Sequence, residues 1–191
     1  MIEITAITPF KSTIYTTELH DVGKLVDVVL QTRKERPNNP EISNRGGWQS
    51  GMLHGGDYPI IDKIIDEIIP LITKVYNELG MEGPAKLYGY WMNINKKYNY
   101  NTLHNHSGAF ISAVLYLKVP KNSGNIVFER TDNLRDCIMI DYVTDHNWGE
   151  YYVNSYPGQL LIFPSYMKHR VDQNLSEDDD DERISIAFNF R

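Results

Sequence analysis

At 191 residues and 41% hydrophobic content, the chain is long enough to close one sizeable core, and no break in composition divides it in two. Its net charge of −6 argues against a general affinity for nucleic acid and leaves small molecules or proteins as the expected substrates. The one cysteine, Cys137, excludes an internal disulfide and a cysteine-rich zinc site, while short apolar runs and the lack of a signal pattern after Met1 predict a soluble, cytosolic protein with no membrane association.

In chain order, a strand-like segment at 2–7 comes first. Leu19, Val22, Val26, Val29 and Leu30 then recur at helical spacing and predict an amphipathic helix. Asp57 and Pro59 form the start signal of a second helix, in which Ile61, Ile64, Ile65, Ile68, Ile72, Val75 and Leu79 share one face; Pro70 predicts a kink or a break. From Lys86 the pattern turns to short runs rich in Tyr, Val, Ile and Phe, punctuated by turns such as Asn122-Ser123-Gly124-Asn125 and Tyr156-Pro157-Gly158. Strands are expected at 87–95, 110–119, 125–129, 136–143, 150–154, 159–164 and 183–190, a set that suits two facing sheets or a jelly roll. Helices first and strands after predict an α+β, mainly β chain: one domain over 1–191, its helical part about 1–84 and its β core about 85–191, with two N-terminal helices packed outside one sheet. The like-charge run Ser176-Glu177-Asp178-Asp179-Asp180-Asp181-Glu182 reads as a solvated loop before the last strand.

Three of the six histidines form a pattern with chemical content: His104-Asn105-His106 before the 110–119 strand, and His169 after the 159–164 strand. Residues i and i+2 of an extended segment project from one face, so His104 and His106 can offer both imidazoles to one ion. His169 would complete a face of three ligands and leave the other coordination positions open. An isolated His-x-His pair is more often a surface pair than a metal site, so the companions matter. In the final strand, alternation puts Arg183, Ser185, Ala187 and Asn189 on one face and Ile184, Ile186, Phe188 and Phe190 on the other. The first face suits a cavity wall, where Arg183 would fork onto a carboxylate or pair with an acidic side chain from a loop, and Ser185 would add a hydroxyl. His20, His54 and His146 have no partner at ligand spacing and read as surface or loop residues.

Taken together, these residues resemble the Fe(II)/2-oxoglutarate-dependent oxygenases of prolyl-hydroxylase type, and among them a family known from bacterial and phage genomes. The resemblance runs through Gly47-Trp48-Gln49-Ser50, Trp91-Met92-Asn93-Ile94, His104-Asn105-His106, Ser112 to Leu117, Gly124 to Phe128, Pro157 to Ser165 with His169, and Arg183 to Asn189. It implies a double-stranded β-helix, cupin-like in form, that uses Fe(II) with 2-oxoglutarate and O2 as co-substrates. By the same resemblance His104 and His169 are the iron-binding histidines, Arg183 and Ser185 receive the distal carboxylate of 2-oxoglutarate, and Tyr116 bonds that carboxylate as well. Asn93 is a further candidate on a strand expected to border the cavity. The chain departs from the wider superfamily at His106, where an acidic residue is usual; His106, Glu129, Asp141, Asp145 or water are the alternatives for the third metal position.

The activity implied is hydroxylation of a substrate C–H bond with release of succinate and CO2, the substrate being a protein side chain, a nucleotide or a small metabolite. It would be admitted by the 37–58 stretch, with its Gly46-Gly47 and Gly55-Gly56 pairs, or by the 130–150 connection. Two other readings use the same residues: a three-histidine iron dioxygenase that needs no 2-oxoacid, and an inactive β-helix binding module. A homodimer is compatible with such a fold, although no surface stripe in the sequence demands one.

Overall fold

The computed structural model describes residues 11–130, 139, 141–144 and 147–191. In chain order these form β1 (Tyr15–Glu18), α1 (Gly23–Glu35), β2 (Asn44–Arg45), β3 (Trp48–Gln49), α2 (Pro59–Glu78), β4 (Leu87–Asn95), β5 (Tyr100–His104), β6 (Ile111–Lys118), β7 (Ile126–Glu129), β8 (Glu150–Val153), β9 (Gln159–Pro164), β10 (His169–Val171) and β11 (Arg183–Phe190). The strands make two antiparallel sheets, one in the order β1-β9-β6-β11-β4-β3 and the other β2-β5-β10-β7-β8. This is the mainly β, two-helix architecture of a double-stranded β-helix.

Alternation along the strands builds two separate cores. On β6, Ala113, Leu115 and Leu117 face one way with Met92, Ile94, Ile184, Ile186, Phe188 and Phe190 of the neighbouring strands; both helices lie on this outer face of the larger sheet. Ile61, Ile65, Ile68, Ile72 and Val75 recur every three or four residues on α2, and Leu25 and Val29 do so on α1, so each helix lays one apolar face on the sheet. Each such fully buried Ile or Leu contributes about 1.5–3 kcal/mol. The alternate residues of β6, Val114 and Tyr116, face inward with Leu161, Phe163, Ile126 and Phe128, and form the smaller core between the sheets.

Several expectations need correction. α2 runs unbroken through Pro70, because the proline sits on its exposed face and the Asp66 carbonyl deprived of a partner can turn to water. β5 and β10 were not anticipated, nor were β1, β2 and β3, since they are short and largely polar. Of the strand expected at 136–143, the described positions Met139 and Asp141 to Val143 carry none; the rest of it, with Cys137, Asp145, His146 and the 2–7 segment, lies outside the described residues. The acidic run is the exposed loop expected over Glu177 to Asp180, and it also carries ion pairs: Glu182 with Arg33 at 2.9 Å and Lys96 at 3.5 Å, and Asp179 with Lys97 at 2.6 Å. Among the described residues, no helix is long and apolar enough to cross a membrane.

Candidate active site

His104 and His169 are brought together by strand register. His169 opens β10 directly opposite His104, the last residue of β5, while β7 presents Phe128 on its other side. His106 follows two residues beyond the end of β5, in the connection to β6 rather than in a strand, and its ring stacks on His104 at 5.3 Å between centroids. One ligand atom from each of His104, His106 and His169 lies within 4.8 Å of the others, and among the described residues no other such cluster of metal-ligating side chains exists. Glu129 and Asp141 do not join it, and Asp141 is exposed.

Hydrogen bonding settles which nitrogen each ring offers. His104 Nδ1 lies 2.7 Å from the Thr102 carbonyl and His169 Nδ1 lies 2.9 Å from the Met167 carbonyl; carbonyls only accept, so each Nδ1 carries the proton and each Nε2 keeps its lone pair. His106 Nδ1 lies 2.8 Å from Asn189 Oδ1, with the same consequence. Burial holds all three rings below the usual histidine pKa, His106 at about 4 and His169, which its two histidine neighbours depress further, at about 3. All are therefore neutral at pH 7, as ligation requires. Three neutral imidazoles with converging lone pairs fit a borderline divalent ion such as Fe(II) and leave open positions for small ligands.

Beside the histidines runs a small, partly open cleft, with a cavity volume of about 60 Å³. Its wall is the inner face of the larger sheet. Register aligns Asn93, Ser185 and Tyr116 in one row across β4, β11 and β6, and Trp91, Ala187 and Val114 in the next. Trp91, Asn93 and Asn95 alternate with the core residues Tyr90, Met92 and Ile94, so β4 and β11 turn matching polar faces to the cleft.

Arg183 lies at the far end of this wall and is only 4% exposed. Its Nη1 donates to the carbonyls of Ser123, Gly124 and Asp172, and Nη2 lies 2.9 Å from the Asn95 side-chain amide, which meets it with its oxygen once turned to suit its neighbours. Among the described residues no carboxylate forms an ion pair with it, although the nearby Asp172 charge favours its protonated form; burial pushes its pKa down to about 10, so it faces the cleft as a cation at neutral pH. Gly124 permits this arrangement. Its φ is +86°, and a Cβ there would stand 2.2 Å from the Asp172 carbonyl oxygen and 2.9 Å from Arg183 Nη1.

The structure therefore places His104, His106, His169, Arg183, Ser185, Tyr116 and Asn93 around one cleft, and leaves His20 and His54 outside it on the surface. Sequence reasoning missed Ser43, Trp91, Asn95 and Asn101, which also line the cleft, and Ser112 and Ser165, which stand behind His106. The i, i+2, i+4 spacing of Trp91, Asn93 and Asn95 was the available signal for two of them. Of the 37–58 stretch expected to admit substrate, Ser43 reaches the cleft, and Gln49 braces Asn93 through a hydrogen bond of 3.2 Å.

The family described as "Putative 2OG-Fe(II) oxygenase" matches residues 89–189, the span that carries the cleft wall and all three histidines. No curated protein matches the chain significantly. Among solved structures, a prolyl-4-hydroxylase from Pseudomonas putida is similar with a TM-score of 0.67 at 16% identity, over 94% of this chain and 92% of its own. A viral collagen prolyl hydroxylase from Paramecium bursaria Chlorella virus-1, solved as a 2OG complex, gives 0.63 at 14% identity over 93% and 95%. A prolyl hydroxylase from Trichoplax adhaerens, in complex with a hypoxia-inducible-factor peptide fragment, gives 0.67 at 15% identity over 93% and 82%. At such identities the likeness is one of fold.

Proposed function

Since the chain belongs to the 2OG-Fe(II) oxygenase family, we propose that it is a hydroxylase in which His104, His106 and His169 hold Fe(II) and Arg183, Ser185 and Tyr116 receive the distal carboxylate of 2-oxoglutarate. The observation that carries this reading is the buried Arg183, without an ion-pair partner among the described residues, in the same cleft as the three converging imidazoles. A guanidinium charged at neutral pH in that position would be stabilised by an anionic ligand. Its Nη1 is taken up by backbone carbonyls and one Nη2 hydrogen by Asn95, so Nε and the second Nη2 hydrogen would be the donors for an incoming carboxylate, with the Ser185 and Tyr116 hydroxyls in the adjoining row. Burial raises the Tyr116 pKa, which keeps its hydroxyl protonated and able to donate.

Bound Fe(II) supplies the redox chemistry: 2-oxoglutarate, O2 and a substrate C–H bond become succinate, CO2 and the hydroxylated product. The protein's share is placement. The row Asn93, Ser185 and Tyr116 orients the co-substrate along the sheet, and the inner core of Val114, Leu161, Phe163 and Phe128 keeps bulk water from the histidine side. Trp91, 5.3 Å from the His106 ring between centroids, offers an aromatic surface against which substrate would rest.

The test is anaerobic titration of the Fe(II)-loaded protein with 2-oxoglutarate, followed by the weak visible charge-transfer band of a 2-oxoacid chelated to ferrous iron. The band is expected. Its absence from protein shown to hold iron would favour a three-histidine dioxygenase that needs no 2-oxoacid, and failure to hold iron would favour an inactive binding module.

A further inference from the structure

His104 and His169 are set by the ladder between β5 and β10 and by carbonyls of their own segments, so no single side-chain change can release them. His106 has neither support. It lies outside any strand, and its Nδ1 is met by a side chain from the far end of β11, Asn189, whose Oδ1 is 2.8 Å away. Asn189 is 5% exposed, and the Ser112 hydroxyl also donates to its Oδ1 at 2.8 Å. Ser112 has one hydrogen, and with that hydrogen on Asn189 it accepts from Ser165 at 2.7 Å. Ser165 in turn accepts the His106 backbone N–H through its carbonyl at 3.0 Å. Ring and backbone of His106 are thus anchored to one buried corner that contains no acidic group.

We propose, building on the metal assignment above, that Asn189 is the positioning residue that makes His106 a metal ligand, by accepting its Nδ1 proton and so holding the Nε2 lone pair toward His104 and His169. The network explains why the choice is Asn189 and not Ser112 alone. Ser112 Oγ is also 2.8 Å from His106 Nδ1. If Asn189 lost its acceptor, the Ser112 hydrogen would turn onto Nδ1, the ring would take the opposite tautomer, and Nε2 would present a proton to the site instead of a lone pair.

The experiment uses the full chain and two readouts: His106 ring-nitrogen NMR shifts in metal-free protein, and Co(II) titration followed by its visible spectrum. Asn189→Leu is expected to move the His106 proton from Nδ1 to Nε2 and to weaken Co(II) binding by roughly 10- to 100-fold, the range for loss of an outer partner of a metal-bound histidine. Asn189→Asp, which keeps the acceptor, should restore both, and combining Asn189→Leu with His106→Ala should cost no more than His106→Ala alone. Circular dichroism and a second variant, Ser165→Ala, which leaves Asn189 in place and should keep the Nδ1–H tautomer, separate positioning from misfolding. An unchanged tautomer with wild-type Co(II) affinity in Asn189→Leu, while His106→Ala is impaired, overturns this inference alone. Absence of Co(II) binding by the wild type would overturn the metal assignment and this inference with it.

Discussion

Arg183→Leu replaces the one buried cation that lines the cleft among the described residues by a shorter, apolar side chain, and its consequences separate into fold and ligand. On the fold side, the Ser123, Gly124 and Asp172 carbonyls lose their shared donor. An unsatisfied buried polar group costs about 1–3 kcal/mol, but removing a buried charge without a counter-ion returns part of that, so the variant should fold with modestly reduced stability. On the ligand side, a hydrogen bond to a charged group contributes about 1.5–3 kcal/mol, and two of them to one carboxylate amount to about 3–6 kcal/mol. At about 1.4 kcal/mol per factor of ten, the variant should bind 2-oxoglutarate some two to four powers of ten more weakly. Co(II) or Mn(II) affinity should stay at the wild-type value, because no metal-side residue has moved. Anaerobic calorimetry of metal-loaded protein measures both constants, and Arg183→Lys, which keeps charge without the fork, should fall between the two. A leucine variant that binds 2-oxoglutarate within about threefold of wild type, well under 1 kcal/mol, would remove Arg183 from the site.

Three further outcomes follow from the same geometry. Gly124→Ala places a Cβ 2.2 Å from the Asp172 carbonyl oxygen at a backbone φ of +86°, and should lower stability in urea by roughly 3 kcal/mol while weakening 2-oxoglutarate binding; wild-type values for both would show that the turn adapts freely. His169→Ala should abolish stoichiometric metal binding, and retention of one equivalent of metal by the purified variant would refute the ligand set. In the metal-free protein the folded-state pKa values of His106, about 4, and His169, about 3, lie below the unfolded value of about 6.5, so the unfolded chain binds more protons between those limits; stability should therefore fall as pH drops from about 6.5 toward 4, and urea midpoints that stay flat across that window would contradict the burial of these rings.

How far the site could be read from the sequence depends on the range of the interactions that build it. The two faces of β11 were legible because adjacent positions differ sharply in chemistry: Ile184, Ile186, Phe188 and Phe190 meet the helices, whereas Arg183, Ser185 and Ala187 line the cleft. The helical faces of α1 and α2 were legible for the same local reason. β5 and β10 were not. They contain Tyr-Asn-Thr-Leu-His and His-Arg-Val, which are too short and too polar to carry a period, and they exist because each finds a partner across the smaller sheet. The acidic run was legible as a solvated loop, but not its partners, since the cations beside it come from α1, from the turn after β4 and from β6.

The departure at His106 gains its meaning only from that non-local structure. Read alone, a histidine where an acidic residue is usual leaves the third ligand open, and a distant carboxylate could have taken its place. Among the described residues none does: each imidazole is backed by a neutral acceptor, two backbone carbonyls and the Asn189 amide, and no carboxylate joins the cluster. A divalent ion held there would therefore keep its full charge until an anionic ligand arrives, and the cleft places a second positive charge, Arg183, which has no ion-pair partner among the described residues, along the same wall. With such an ion bound, two cationic centres in one cleft, with hydroxyl and amide groups between them, would make a receptor for an elongated dianion. On the proposed assignment, that charge pattern would tie the third histidine and the buried arginine into one explanation, because a site without an acidic ligand would attract a dicarboxylate such as 2-oxoglutarate more strongly.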